Sequence, residues 1–142
     1  MEFITKNAEQ TEDVGKKLAS LLEEKNIKRA FIAMRGEMGV GKTAFTRGFA
    51  AHLEITGVKS PTYTIVNEHR GRASLFHFDM YRIESEDDLI SIGFDDYLMR
   101  DGYIIAEWSE NVAEFIPKDA IYVTISRTAT SPDERKITID FS

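Results

Sequence analysis

The chain contains no cysteine, so neither a disulfide frame nor a thiolate metal site can form. It has no apolar run long enough to cross a bilayer and no signal-peptide or lipid-attachment pattern, so a cytoplasmic location away from membranes is expected. Basic residues are the minority: 18 Lys and Arg against 24 Asp and Glu leave a net charge of −6. That balance argues against the broad positive footprint on which nucleic-acid binding relies. Lys59, His69, Arg70, Arg72 and Arg82 do cluster in sequence, a pattern ordinarily made by a solvated hairpin rim. Several signatures are also missing. There is no transporter-type Leu-Ser-Gly-Gly, and Thr5-Lys6-Asn7-Ala8 lacks the aspartate of a guanine-reading segment. No arginine-rich lid of the small-molecule kinase kind is present. Without repeats, low-complexity tracts or linkers, residues 1–142 read as one domain.

What the chain does have is a complete phosphate-loop pattern, Gly36-Glu37-Met38-Gly39-Val40-Gly41-Lys42-Thr43. It lies between the apolar run Ala30-Phe31-Ile32-Ala33-Met34 and a helical pattern over residues 44–53, with Phe45, Phe49 and Leu53 on one face. The glycines let backbone close around anionic oxygens, and the helix N-terminus behind them aims its free N–H groups at those oxygens. Lys42 is expected to place an ammonium on the β- and γ-phosphates, and Thr43 to offer its hydroxyl to Mg²⁺. The segment predicts binding of a nucleoside triphosphate.

Periodicity supplies the surrounding elements. Glu2-Phe3-Ile4-Thr5 reads as a strand, followed by a helix entered near Asn7 or Thr11 and ending near Lys25, with Val14, Leu18, Leu21 and Leu22 as its apolar stripe. Tyr63-Thr64-Ile65-Val66-Asn67-Glu68 and residues 73–79 flank Arg70-Gly71-Arg72 and predict an antiparallel hairpin. Ser85 and Asp88 resemble a capping box for a helix stopped by Gly93, with a short helical turn after it. Tyr103-Ile104-Ile105-Ala106 is a buried strand, then a polar helical segment runs to Pro117, and a terminal hairpin turns around Ser131-Pro132-Asp133. The expected class is α/β: a P-loop NTPase-like mixed sheet flanked by helices, with antiparallel hairpins.

Hydrolysis or transfer needs more than a loop that holds phosphates. Asp79 and Glu107 end apolar strands, and either is a candidate to hold Mg²⁺ while the other polarises the attacking oxygen. Ser60-Pro61-Thr62-Tyr63-Thr64 is rich in hydroxyls and is a candidate switch segment, with Thr62 against metal or phosphate, or simply a turn into a strand. Trp108, the only tryptophan, is on composition alone more often a core anchor than a nucleotide platform. His77 alternates with Phe76 and Phe78, so it faces opposite to them, and reads as a satisfied structural histidine more readily than as a catalytic one.

In order along the chain, Gly36 to Thr43, Ser60-Pro61-Thr62-Tyr63-Thr64 leading into Val66-Asn67-Glu68, His77-Phe78-Asp79-Met80-Tyr81-Arg82, and Glu107-Trp108-Ser109-Glu110 resemble the bacterial TsaE family, small ATPases of tRNA threonylcarbamoyladenosine biosynthesis. Met38 and Met80 stand where that family commonly has leucine, a size-preserving difference. The resemblance extends to about Pro117, and the final hairpin contributes nothing to it. It implies ATP as nucleotide, Mg²⁺ as metal and the TsaB–TsaD complex as partner, with tRNA met only through that complex. It further implies weak hydrolysis until docking. Lys42 and Thr43 would bind phosphates and metal, Thr62 and Asp79 would line the closing metal site, and Glu107 would orient water or metal beside a functional Trp108. Two other readings compete: a small-molecule phosphotransferase using Asp79 or Glu107 as base, and a nucleotide-binding adaptor without turnover.

Overall fold

The computed structural model describes residues 1–37, 39–58 and 65–141. Seven strands form one sheet: β1 (Glu2–Thr5), β2 (Arg29–Arg35), β3 (Val66–Arg70), β4 (Ser74–Asp79), β5 (Gly102–Glu107), β6 (Ile121–Arg127) and β7 (Arg135–Phe141). Their order is β1-β7-β6-β2-β5-β4-β3. The central strands β6, β2, β5 and β4 run parallel, while β1, β7 and β3 join antiparallel at the margins. The sheet is therefore mixed and carries both expected hairpins.

Strand alternation sorts the apolar side chains onto two faces. Ile32, Met34, Leu75 and Ile105 pack under α1 (Ala8–Glu24) and α2 (Lys42–His52). Phe31, Ala33, Phe76 and Ile104 pack under α3 (Glu86–Ser91), α4 (Phe94–Met99) and the 3₁₀ segment Ser109–Phe115. Burial on both faces explains why β2 and β5 read as continuous apolar runs instead of alternating ones.

Asn7 caps α1 by accepting the Gln10 N–H at 2.8 Å, fixing the helix start at the earlier of the two expected positions. Its buried stripe is Thr11, Val14, Gly15, Leu18, Ala19 and Leu22. Leu21, placed in that stripe by spacing, is only half-buried. The stripe follows small residues because α1 lies almost against the α2 backbone: a Cβ on Gly15 would stand 2.1 Å from the Phe45 carbonyl oxygen. Ser85 caps α3 and Gly93, at φ 73°, ends it, as expected. The Asp88 carboxylate closes on the Glu84 N–H at 2.9 Å, one residue outside the usual box partner.

The clustered basic residues do not make one strip. Arg72 lies at the β3–β4 turn and binds Glu23 of α1 at 2.8 Å, whereas Arg82 follows the far end of β4, about 20 Å along a six-residue strand. Lys59 is outside the described residues.

Candidate active site

Because β2, β5 and β4 are parallel neighbours, their C-terminal ends share one edge of the sheet. From β2 the chain continues to β3 and β4 on one side, and β6 adjoins it on the other, so this edge is the crevice where open α/β sheets accept ligands. The phosphate loop leaves β2 there and enters α2 at Lys42.

Gly36 is dictated by space and by backbone. Its φ is 146°, and a Cβ would stand 2.5 Å from the Ile125 carbonyl oxygen and 2.9 Å from Val40 Cγ2. Gly41 precedes α2 at φ 112°, a conformation that brings the loop's N–H groups round to the helix start. The terminal hairpin braces this loop: Arg135 Nε donates to the Val40 carbonyl at 2.9 Å, and Arg127 pairs with Glu37 at 3.1 Å. The second contact is exposed and contributes little to stability. Met38 is outside the described residues.

Lys42 is 7% exposed, so its ammonium needs partners. Nζ donates to the Gly36 carbonyl at 3.0 Å and lies 4.6 Å from the centre of the Trp108 ring. Trp108 reaches that position from a left-handed backbone at φ 58°, a conformation that costs a non-glycine residue on the order of 1–3 kcal/mol. Tyr81 packs edge-on against the same ring, with centroids 5.2 Å apart. Thr43 is half-buried in the first turn of α2.

Asp79 and Glu107 are direct register partners across β4 and β5. Alternation puts them, with His77, on the sheet face shared with Leu75 and α2. Asp79 Oδ1 accepts the Tyr81 N–H at 2.9 Å, a local turn that fixes the carboxylate at the strand end. Glu107 is buried, and its Oε2 lies 2.6 Å from His77 Nε2. Further bonds lace these strand ends together. Ser109 Oγ donates to the Met34 carbonyl at 3.2 Å, and Asn111 Nδ2 to the Met80 and Tyr81 carbonyls at 3.1 Å each.

His77 departs from the satisfied structural histidine expected of it. Among the described residues its Nδ1 is buried and unpartnered, and its hydrogen bond goes to Glu107. The sequence signal was available: a histidine between two phenylalanines, two residues before a strand-end aspartate, faces the same way as that aspartate. A groove of about 290 Å³ beside the loop is lined by Asn7, Thr11, Gly41, Ala44, Asp133 and Arg135 among others. Thr11 and Arg135 escaped the sequence reading because only the folded α1 and β7 bring them to the loop. Thr62 and its neighbours 59–64 lie outside the described residues.

Comparison with known proteins then decides the family. The model described as "Threonylcarbamoyl adenosine biosynthesis protein TsaE" matches residues 5–137. The chain belongs to the TsaE family. The TsaE protein of Bacillus subtilis is 35% identical over 97% of this chain and 84% of its own length. That of Treponema pallidum is 33% identical over 98% and 99%. The crystal structure of Bacillus subtilis YdiB superposes with a TM-score of 0.79 at 30% identity, covering 98% of this chain and 83% of that one. The family is that of tRNA threonylcarbamoyladenosine biosynthesis, and the TsaE match reaches into the terminal hairpin, beyond the Pro117 limit drawn from motifs. Among the described residues, no helix is long and apolar enough to cross a membrane.

Proposed function

We propose that this TsaE-family chain is a Mg²⁺-dependent ATPase. It hydrolyses ATP in association with the TsaB–TsaD complex and sustains that complex's turnover in tRNA threonylcarbamoyladenosine formation, meeting tRNA through the complex. The observation that carries the reading is that the phosphate loop, with Lys42 held on its own loop carbonyl, and the register-paired carboxylates Asp79 and Glu107 all stand at the C-terminal edge of the parallel strands β2, β4 and β5. The names borne by its relatives support the pathway.

In this reading the loop N–H groups and the start of α2 hold the β- and γ-phosphates. Lys42 exchanges the Gly36 carbonyl for phosphate oxygens and stabilises the charge that develops on them. The groove between α1 and Arg135 receives the nucleoside. Thr43 together with either Asp79 or Glu107 would hold Mg²⁺, which when bound neutralises phosphate charge. A hydroxyl and a carboxylate form the hard-oxygen donor set this ion takes, completed by waters and phosphates. Whichever carboxylate is not engaged there orients the attacking water. Trp108, over Lys42, screens the phosphate site from bulk solvent, and exclusion of water strengthens the electrostatic stabilisation inside it.

The test is release of inorganic phosphate from ATP, with and without Mg²⁺ and with and without the TsaB–TsaD pair. Metal-dependent release to water, raised by the pair, is expected. Transfer of the γ-phosphate to a metabolite would instead support a phosphotransferase.

A further inference from the structure

We propose that His77 is the positioning residue for Glu107, fixing the direction of its carboxylate in the hydrolytic site; the inference rests on the ATPase reading above. The two side chains come from adjacent parallel strands. His77 is opposite Ile105 and Glu107 is opposite Asp79, so the contact is a diagonal one on the face beneath the phosphate loop. Both residues are buried, His77 completely, and Nε2 stands 2.6 Å from Oε2. When ionised, Glu107 can only accept, so in this arrangement Nε2 would carry the proton. Engaging Oε2 leaves Oε1 as the oxygen that His77 does not hold, available to water or metal.

The surroundings of His77 on this face are mixed: Leu75 and Ile105 are apolar and buried, whereas Asn67, its register partner on β3, and the strand-end Asp79 and Glu107 are polar. Among the described residues the imidazole's hydrogen bond is to Glu107, and Nδ1, fully buried, has no partner. Core polar groups are ordinarily satisfied. What sets His77 apart is its short, buried contact with the strand-end carboxylate Glu107, since the equally unpartnered ring nitrogen of His69 has no such partner among the described residues. Asp79 needs no such partner, because its own turn to the Tyr81 N–H already holds it.

Two measurements test the relationship separately. The first needs no turnover: ¹⁵N–¹H spectra of the ring of His77, assigned by its loss in His77→Gln. An Nε2-bound proton is expected well downfield in the wild type and shifted upfield in Glu107→Ala. A ring protonated only on Nδ1, or a resonance indifferent to Glu107→Ala, would overturn the proposal. The second is steady-state hydrolysis with the partner complex. His77→Asn, whose amide is too short to reach Glu107, should lower kcat about tenfold to a hundredfold with little change in KM. His77→Gln, whose amide nitrogen reaches the Nε2 position, should keep most of the rate. His77→Leu combined with Glu107→Ala should cost no more than Glu107→Ala alone. Equal loss in the Asn and Gln variants, or full activity in a folded His77→Leu, would also overturn it. If the wild type releases no phosphate the ATPase reading fails, while the ring spectrum still decides whether His77 holds Glu107.

Discussion

The ammonium of Lys42 lies against the face of Trp108, 4.6 Å from the ring centre, with its hydrogen bond turned back onto the Gly36 carbonyl. Two residues far apart in sequence are thereby coupled. Lys42 starts the helix after β2, while Trp108 follows β5, the neighbouring strand. Any anion that draws Lys42 off its carbonyl changes the environment of the chain's single tryptophan.

Trp108 emission should therefore change on titration with ATP. Lys42→Ala should abolish both the response and hydrolysis, because it removes the ammonium held at the mouth of the loop. An unaltered affinity in this variant, measured by calorimetry, would contradict the assignment of the loop.

Glu107→Ala should depress kcat much more than nucleotide affinity, since a group that orients water acts in the transition state. Asp79→Ala should weaken Mg²⁺-dependent nucleotide binding as well, and should cost some stability by releasing the Tyr81 N–H. Comparing kcat with a binding titration for each variant separates the two roles. Normal hydrolysis by Glu107→Ala with partners present would count against its role.

Gly36→Ala should destabilise the fold by about 1–3 kcal/mol from backbone conformation alone, with the clash against Ile125 adding to it. Thermal unfolding measures the loss. A melting temperature equal to wild type would mean that the loop leaves β2 by another path.

Burial, and secondarily the nearby His77, hold the His69 imidazole below its ordinary pKa of 6.5. The unfolded chain then binds a proton that the folded chain resists. The stability His69 contributes is present above pH 6.5 and is lost as pH falls through the depressed folded value. His69→Gln should flatten the acid limb of a stability-against-pH curve. An unchanged limb would show that other groups set it.

Much of this was legible from residue patterns. Local chemistry marked the boundaries: Asn7 before α1, Gly41 before α2 and Gly93 after α3 each sit where a cap or turn requires them. Strand-end position singled out Asp79 and Glu107. Lateral relationships were not legible, because strand order is decided by packing across the sheet and not by any local run. Hence β5 between β2 and β4 was needed to make Asp79 and Glu107 register partners. The same limit hid the diagonal from His77 to Glu107, and the reach of Arg135 from β7 to the Val40 carbonyl. The left-handed turn at Trp108 was equally invisible, since nothing local favours it and the contact with Lys42 exists only once β2 and β5 pair.

The central claim, a partner-coupled ATPase, is tested most directly by steady-state release of phosphate from Mg²⁺–ATP by the chain alone, by the chain with the TsaB–TsaD pair, and by Lys42→Ala with the same pair. A closed catalytic conformation populated a few per cent of the time in the free chain leaves a gain of roughly tenfold or more to be made by docking. The account predicts slow release alone, an increase of that size with the pair, and none from Lys42→Ala. Equal rates with and without the pair, or a γ-phosphate recovered on a metabolite instead of in water, would contradict it.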